Sequence, residues 1–225
     1  MSRSIVTRLI LKDFYLQWPT LTGSLVLGFA TLALALFGGG SPVTFYVGSV
    51  SFICVLILLN VLLVGSIVAQ EKKDRVILFV LSLPVSTTQY ALAKLVSSLL
   101  AFLIPFCLLG AAAVLVIALT PIPHGLIPLT LAVMMYVCLY FCIFLTVALA
   151  VDSAGWNTVV IVCGNVLLNF LIAWLLNRPS VAHASKAAAA VWAPEILATL
   201  AVETLGCLLA LGAAVVTILR KKDFL

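Results

Sequence analysis

The chain has 225 residues, of which 65% are hydrophobic and 8% charged, and its formal net charge is +5. A soluble domain carries about a quarter charged residues, so lipid must solvate most of this chain. The composition excludes a cytosolic enzyme, a secreted disulfide scaffold and a nucleic-acid binder, and at about 20 apolar residues per crossing it allows roughly six to eight spans.

Residues 1–18 read as an amphipathic helix on the membrane surface, with Val6, Ile10, Phe14 and Trp18 on one face and Ser4, Arg8 and Lys12 roughly opposite. Arg3 and Arg8 ahead of an apolar run, with Ala33 and Ala35 inside it, imitate a signal peptide. The sequence starts at Met1 and the stretch is expected to stay attached. A first span follows over 20–38, opened by Pro19 and closed by Gly38, Gly39 and Gly40, and a second over 45–69. Residues 70–86 form a polar interruption with Glu71, Lys72, Lys73, Asp74 and Arg75 at its start. The third span covers 92–118 and the fourth 126–151, joined by a turn rich in proline and glycine. A turn from Asp152 to Asn157 leads to a fifth span ending near 176. The alanine-rich stretch 177–195 reads as a short outer helix or a plain connector. A sixth span, 196–219, ends in the basic tail Arg220, Lys221 and Lys222. The expected architecture is thus all-α and integral to the membrane, a single six-span domain without a duplicated half.

Six spans place both termini on one side. Arg3, Arg8, Lys12, Lys72, Lys73, Arg75, Lys94, Arg220, Lys221 and Lys222 fall on that side, against Arg178 and Lys186 on the other. The positive-inside rule assigns the richer side to the cytoplasm of a cell (inner) membrane. Single cysteines placed at Ser41 and Ser185 in a cysteine-free variant are therefore expected to react with an impermeant reagent outside intact cells. One placed at Lys72 is not, and its labelling from outside would reverse the orientation.

Candidate chemistry is sparse. The six cysteines, Cys54, Cys107, Cys138, Cys142, Cys163 and Cys207, all lie in apolar runs, where a thiol behaves as a small hydrophobe. No disulfide is expected. Cys138 and Cys142 are one helical turn apart, but no histidine or carboxylate in the same run completes a metal set, so no metal is expected. His124 and His183 fall in loops, and neither a nucleophile elbow nor a His-Glu-x-x-His pair occurs. No catalytic residue is expected. Asn60, Asn165, Asn169 and Glu203 fall inside spans, where they either line a polar route or make interhelical hydrogen bonds worth about 1 kcal/mol each. Asn165 and Asn169 share a face of span five, and Asn169 lies at about the depth of Glu203.

The segment 70–94 is the most informative. After Glu71 to Arg75 comes the apolar run Val76 to Leu81, and Pro84 prevents simple continuation of a helix. Ser86 and Gln89 then form a Ser-x-x-Gln capping box that starts a new helix. A short cytoplasmic helix broken and restarted at the membrane makes a rigid knob, whereas the blander reading is a basic interfacial loop on anionic lipid. The sequence from Glu71 to Ser86, Glu-Lys-Lys-Asp-Arg-Val-Ile-Leu-Phe-Val-Leu-Ser-Leu-Pro-Val-Ser, followed by Ala93 and Lys94, resembles the coupling region of ABC-2 type permeases, the membrane subunits of ATP-binding cassette exporters. Arg75 and Val76 stand where that family often has Gly-Thr. The surface helix, the six spans and the basic tail extend the likeness over the whole chain.

The resemblance implies an ATP-driven exporter in which Glu71, Asp74, Arg75, Ile77, Leu78, Phe79, Leu81 and Pro84 couple to an ATPase. It also implies an outer-gate helix between spans five and six. No phosphate-cradling Gly-x-x-x-x-Gly-Lys-Ser/Thr loop occurs, so ATP and magnesium belong to a partner polypeptide and this chain itself holds no cofactor. The implied assembly pairs two copies of the chain with two ATPase subunits in membrane lipid, without nucleic acid. An interior lined by Phe, Leu and Val favours amphipathic or lipid-like cargo, including peptides. The rival readings are a proton-coupled secondary transporter using Glu203 and a non-transport membrane scaffold or immunity protein. Absence of an inverted repeat argues against the first.

Overall fold

A computed structural model of the chain describes residues 2–37, 42–66, 87–120, 122–151 and 153–220. Its helices are α1 (Ser2–Phe37), α2 (Pro42–Val64), α3 (Thr87–Leu119), α4 (Leu126–Ala150), α5 (Ala154–Leu176), α6 (Pro179–Ser185) and α7 (Pro194–Arg220). All but the short α6 are long and apolar enough to cross a membrane, which bears out the six-span, all-α architecture. In hydrocarbon each backbone N–H and C=O must be satisfied within its own segment, so apolar runs of this length have helix as their only single-chain solution.

The expected break at Pro19 does not occur. Residues 2–37 form one helix with Pro19 inside it, so a separate surface helix ending there is corrected. Proline removes one N–H donor, but where neighbouring groups can satisfy the freed carbonyl the helix continues. Just past the proline, the Thr22 hydroxyl donates to the Trp18 carbonyl oxygen at 2.9 Å and lies 3.2 Å from that of Pro19. At about 1.5 Å per residue the 36 residues of α1 span about 54 Å, more than an upright crossing of the ~40–45 Å bilayer requires. The buried stripe of α1 is Asp13, Gln17, Leu21, Ser24, Gly28, Leu32 and Ala35, a helical period that runs through Pro19 without a phase shift. Trp18, on the apolar face expected from the sequence, is exposed.

The tertiary arrangement has two parts that share α3. Helix α1 packs along α2 and α3, while α4 is the hub of the remainder, packing most extensively on α7 and also on α5, α3, α2 and α6. The core where they meet contains Leu56, Leu59 and Leu63 of α2, Phe102 and Leu109 of α3, and Phe141 and Leu145 of α4, all fully buried. Phe102 and Phe141 stack with ring centroids 4.0 Å apart. Lipid tails are as apolar as leucine, so close packing must hold such helices together. At Gly48 an added Cβ would stand 2.8 Å from the backbone nitrogen of Ala35, so α1 and α2 touch almost backbone to backbone.

At the end of the bundle away from the termini, α6 lies against α4, α5 and α7. Val181 and Ala184 pack with Ala132, Leu175, Ala193 and Ile196. The Gly125 N–H donates to the Ala187 carbonyl at 3.1 Å, tying the α3–α4 turn to the segment after α6. Nearby, the Arg178 guanidinium sits over the Trp174 ring, 4.8 Å from its centroid.

Candidate functional site

Buried charge is scarce among the described residues: Asp13, Lys94 and Glu203 are the only ionisable acidic or basic side chains in the buried class. The first two are paired. Lys94 Nζ lies 2.8 Å from Asp13 Oδ2, with the two side chains only 7% and 6% exposed. The Ser97 hydroxyl, one turn beyond Lys94 on α3, donates to the same Asp13 oxygen at 3.1 Å. Lys94, which the sequence places among the basic residues of the cytoplasmic side, has its side chain buried in the bundle.

One turn further along α1, Gln17 is equally buried, and its Oε1 accepts from the Ser66 hydroxyl at 3.0 Å. That hydroxyl also lies 2.6 Å from the Leu62 carbonyl. The juxtaposition matters because of where these residues stand in the chain. Ser66 directly precedes segment 67–86, and Lys94 and Ser97 lie in the first turns of the helix that follows it. Asp13 and Gln17, spaced four apart on one face of α1, therefore grip both roots of that segment. Removing one partner of a buried ion pair costs about 3–5 kcal/mol, so the grip is stiff even though the intact pair contributes little net stability.

The segment contains Glu71, Asp74, Arg75, Ile77, Leu78, Phe79, Leu81 and Pro84, and all of them lie outside the described residues. Helix α3 begins at Thr87, the residue after Ser86.

The four polar span residues are not brought together. Asn60 is fully buried in α2, where its Nδ2 donates to the Leu56 carbonyl at 3.1 Å and its Oδ1 has no hydrogen-bond partner among the described residues. Asn165 Nδ2 donates to the Ile161 carbonyl at 2.8 Å, and Asn169 Nδ2 to the Asn165 carbonyl at 2.9 Å. Asn169 is exposed on α5, whereas Glu203 is buried on α7 and neither carboxylate oxygen has a hydrogen-bond partner among the described residues. No hydrogen bond links Asn169 to Glu203.

Sequence reasoning missed Asp13, Gln17 and Ser97. Asp13 and Ser97 stand 84 residues apart, and no local pattern reports such a pairing. A usable signal did exist: Asp13 and Gln17 continue, at helical spacing, the stripe of Leu21 and Ser24.

A family model described as ABC-2 family transporter protein matches residues 8–219, a stretch that includes the polar clamp, the 67–86 segment and all six spans. No curated protein and no solved structure matches the chain.

Proposed function

The chain belongs to the ABC-2 transporter family and is the membrane permease of an ABC transporter, whose ATPase is a separate partner; from that premise we propose that it is the export pathway of an ATP-driven pump. On this reading the 67–86 segment docks on the ATPase at the cytoplasmic face, and α1 carries its movement into the bundle through Asp13 and Gln17. The polar clamp is the observation that supports this most directly. A loop that merely rests on lipid headgroups needs no buried ion pair at its root, while a lever that passes on force needs a stiff one.

Two copies of the chain form the pathway. Helix α5 is the least buried span, and Asn165 and Asn169 stand on it partly or fully exposed. Polar groups facing lipid are costly, so this face favours a second copy or the route between copies. Cysteine at Asn169 is accordingly expected to form a crosslinked dimer in native membranes with a short bifunctional reagent. Cysteine at Val202, on an exposed face of α7, serves as the comparison. Equal crosslinking at both positions would remove α5 from the interface. The scarcity of buried charge favours amphipathic or lipid-like cargo, peptides included, and on this reading α6 is the outer gate.

The function is tested by reconstituting the chain with its ABC ATPase in vesicles. Stable copurification and ATP-dependent export of a fluorescent amphipath are expected. Transport that follows a proton gradient without any ATPase, and is lost in Glu203→Gln, would instead select the secondary-transporter reading.

A further inference from the structure

Folding brings a third sulfur to the pair that the sequence shows one turn apart. Cys138 and Cys142 project from α4 and Cys207 from α7, and their Sγ atoms all lie within 4.8 Å of one another. Cys142 is 2% and Cys207 7% exposed, and Cys138 is half-buried. All three stand near the middle of their spans, away from both bundle ends.

The two helices are pressed together around this cluster. Next to Cys207, a Cβ at Gly206 would stand 2.9 Å from Leu139 Cδ1. One turn beyond Cys142, the Thr146 hydroxyl lies 3.0 Å from the Ala210 carbonyl across the interface. The cluster is thus bracketed by contacts that set the distance between α4 and α7. Glu203, one turn before Cys207 on α7 and 4% exposed, does not belong to this sulfur cluster.

We propose that Cys138, Cys142 and Cys207 bind one soft, thiophilic d10 metal ion between α4 and α7. Thiolate donors select monovalent copper, zinc and their heavier analogues over hard cations such as magnesium or calcium. With metal–sulfur bonds of about 2.3 Å, three sulfurs around one tetrahedral ion stand about 3.8 Å apart. The sulfur separations, at most 4.8 Å, exceed that spacing by no more than about 1 Å. Each thiol that binds as thiolate releases its proton, so occupancy rises with pH. The bound ion crosslinks the hub helix to the last span independently of the transport reading, and its test does not use transport.

The full chain, purified anaerobically in detergent with Cys54, Cys107 and Cys163 replaced by serine, is titrated with Cd(II) as the probe. One equivalent is expected to give a thiolate-to-metal charge-transfer band in the ultraviolet. Cys207→Ser and Cys142→Ser should each lower affinity at least tenfold while elution from a sizing column and the helical circular-dichroism signal stay unchanged. A second readout requires none of these three ligands to be altered: the 113Cd resonance of the loaded protein should report sulfur-rich coordination. A protein that gives no band, a band that survives Cys207→Ser at unchanged affinity, or a resonance typical of oxygen ligands would each overturn the site.

Discussion

Replacing Asp13 with alanine is expected to destabilise the protein by about 3–5 kcal/mol, the largest effect of any single substitution outside the apolar core. The carboxylate is the 2.8 Å partner of a buried ammonium and the acceptor of the Ser97 hydroxyl, so its loss withdraws compensation from two groups at once. Water cannot easily replace it at a site only about 6% exposed. The double variant Asp13→Leu with Lys94→Leu removes both charges and keeps the volume, and it should recover most of the loss, because an ion pair taken out of water contributes little net stability when intact. Thermal unfolding in detergent of Asp13→Leu, Lys94→Leu and the double variant, beside the parent chain, forms a complete cycle. Additive losses in that cycle would show that the pair does not act as a unit. If the clamp also passes on force, the stable double variant should keep its ATPase partner yet lose most of the cargo-stimulated increase in ATP hydrolysis.

Phe79→Ala carries the second large effect, and it is a loss of partnership rather than of fold. In the proposed docking the run from Val76 to Leu81 enters a groove on the ATPase, and Phe79 is its largest side chain. A buried aromatic anchor at an interface typically accounts for about 2 kcal/mol or more, roughly thirtyfold in affinity. Copurification with the ATPase should therefore fall sharply while membrane insertion and melting temperature remain those of the parent chain. Reversing Glu71 to Lys is expected to act in the same direction through charge. Vesicles in which both variants keep partner binding and fully coupled hydrolysis would reduce the segment to an interfacial loop. Because Asp13 lies in the bundle and Phe79 in the segment, the two experiments separate loss of the lever's root from loss of its tip.

Length and hydropathy alone determined the six spans, their approximate bounds and the all-α class, because hydrocarbon leaves the backbone almost no other way to satisfy its hydrogen bonds. Motif order between Glu71 and Lys94 was enough to suggest the family that residues 8–219 match. The same local reasoning failed at Pro19. A proline reads as a boundary in water, where a broken helix can be solvated, but within α1 it is absorbed into a continuous helix whose buried stripe does not change phase. Only the tertiary structure decided that Asp13 and Gln17 point inward to Lys94, Ser97 and Ser66, that Asn169 and Glu203 share no hydrogen bond, and that Cys207 joins Cys138 and Cys142. Each of those outcomes depends on the rotation of one helix about its axis relative to another. In a chain whose spans are apolar on every side, helix–helix packing sets that rotation, and local hydropathy does not record it.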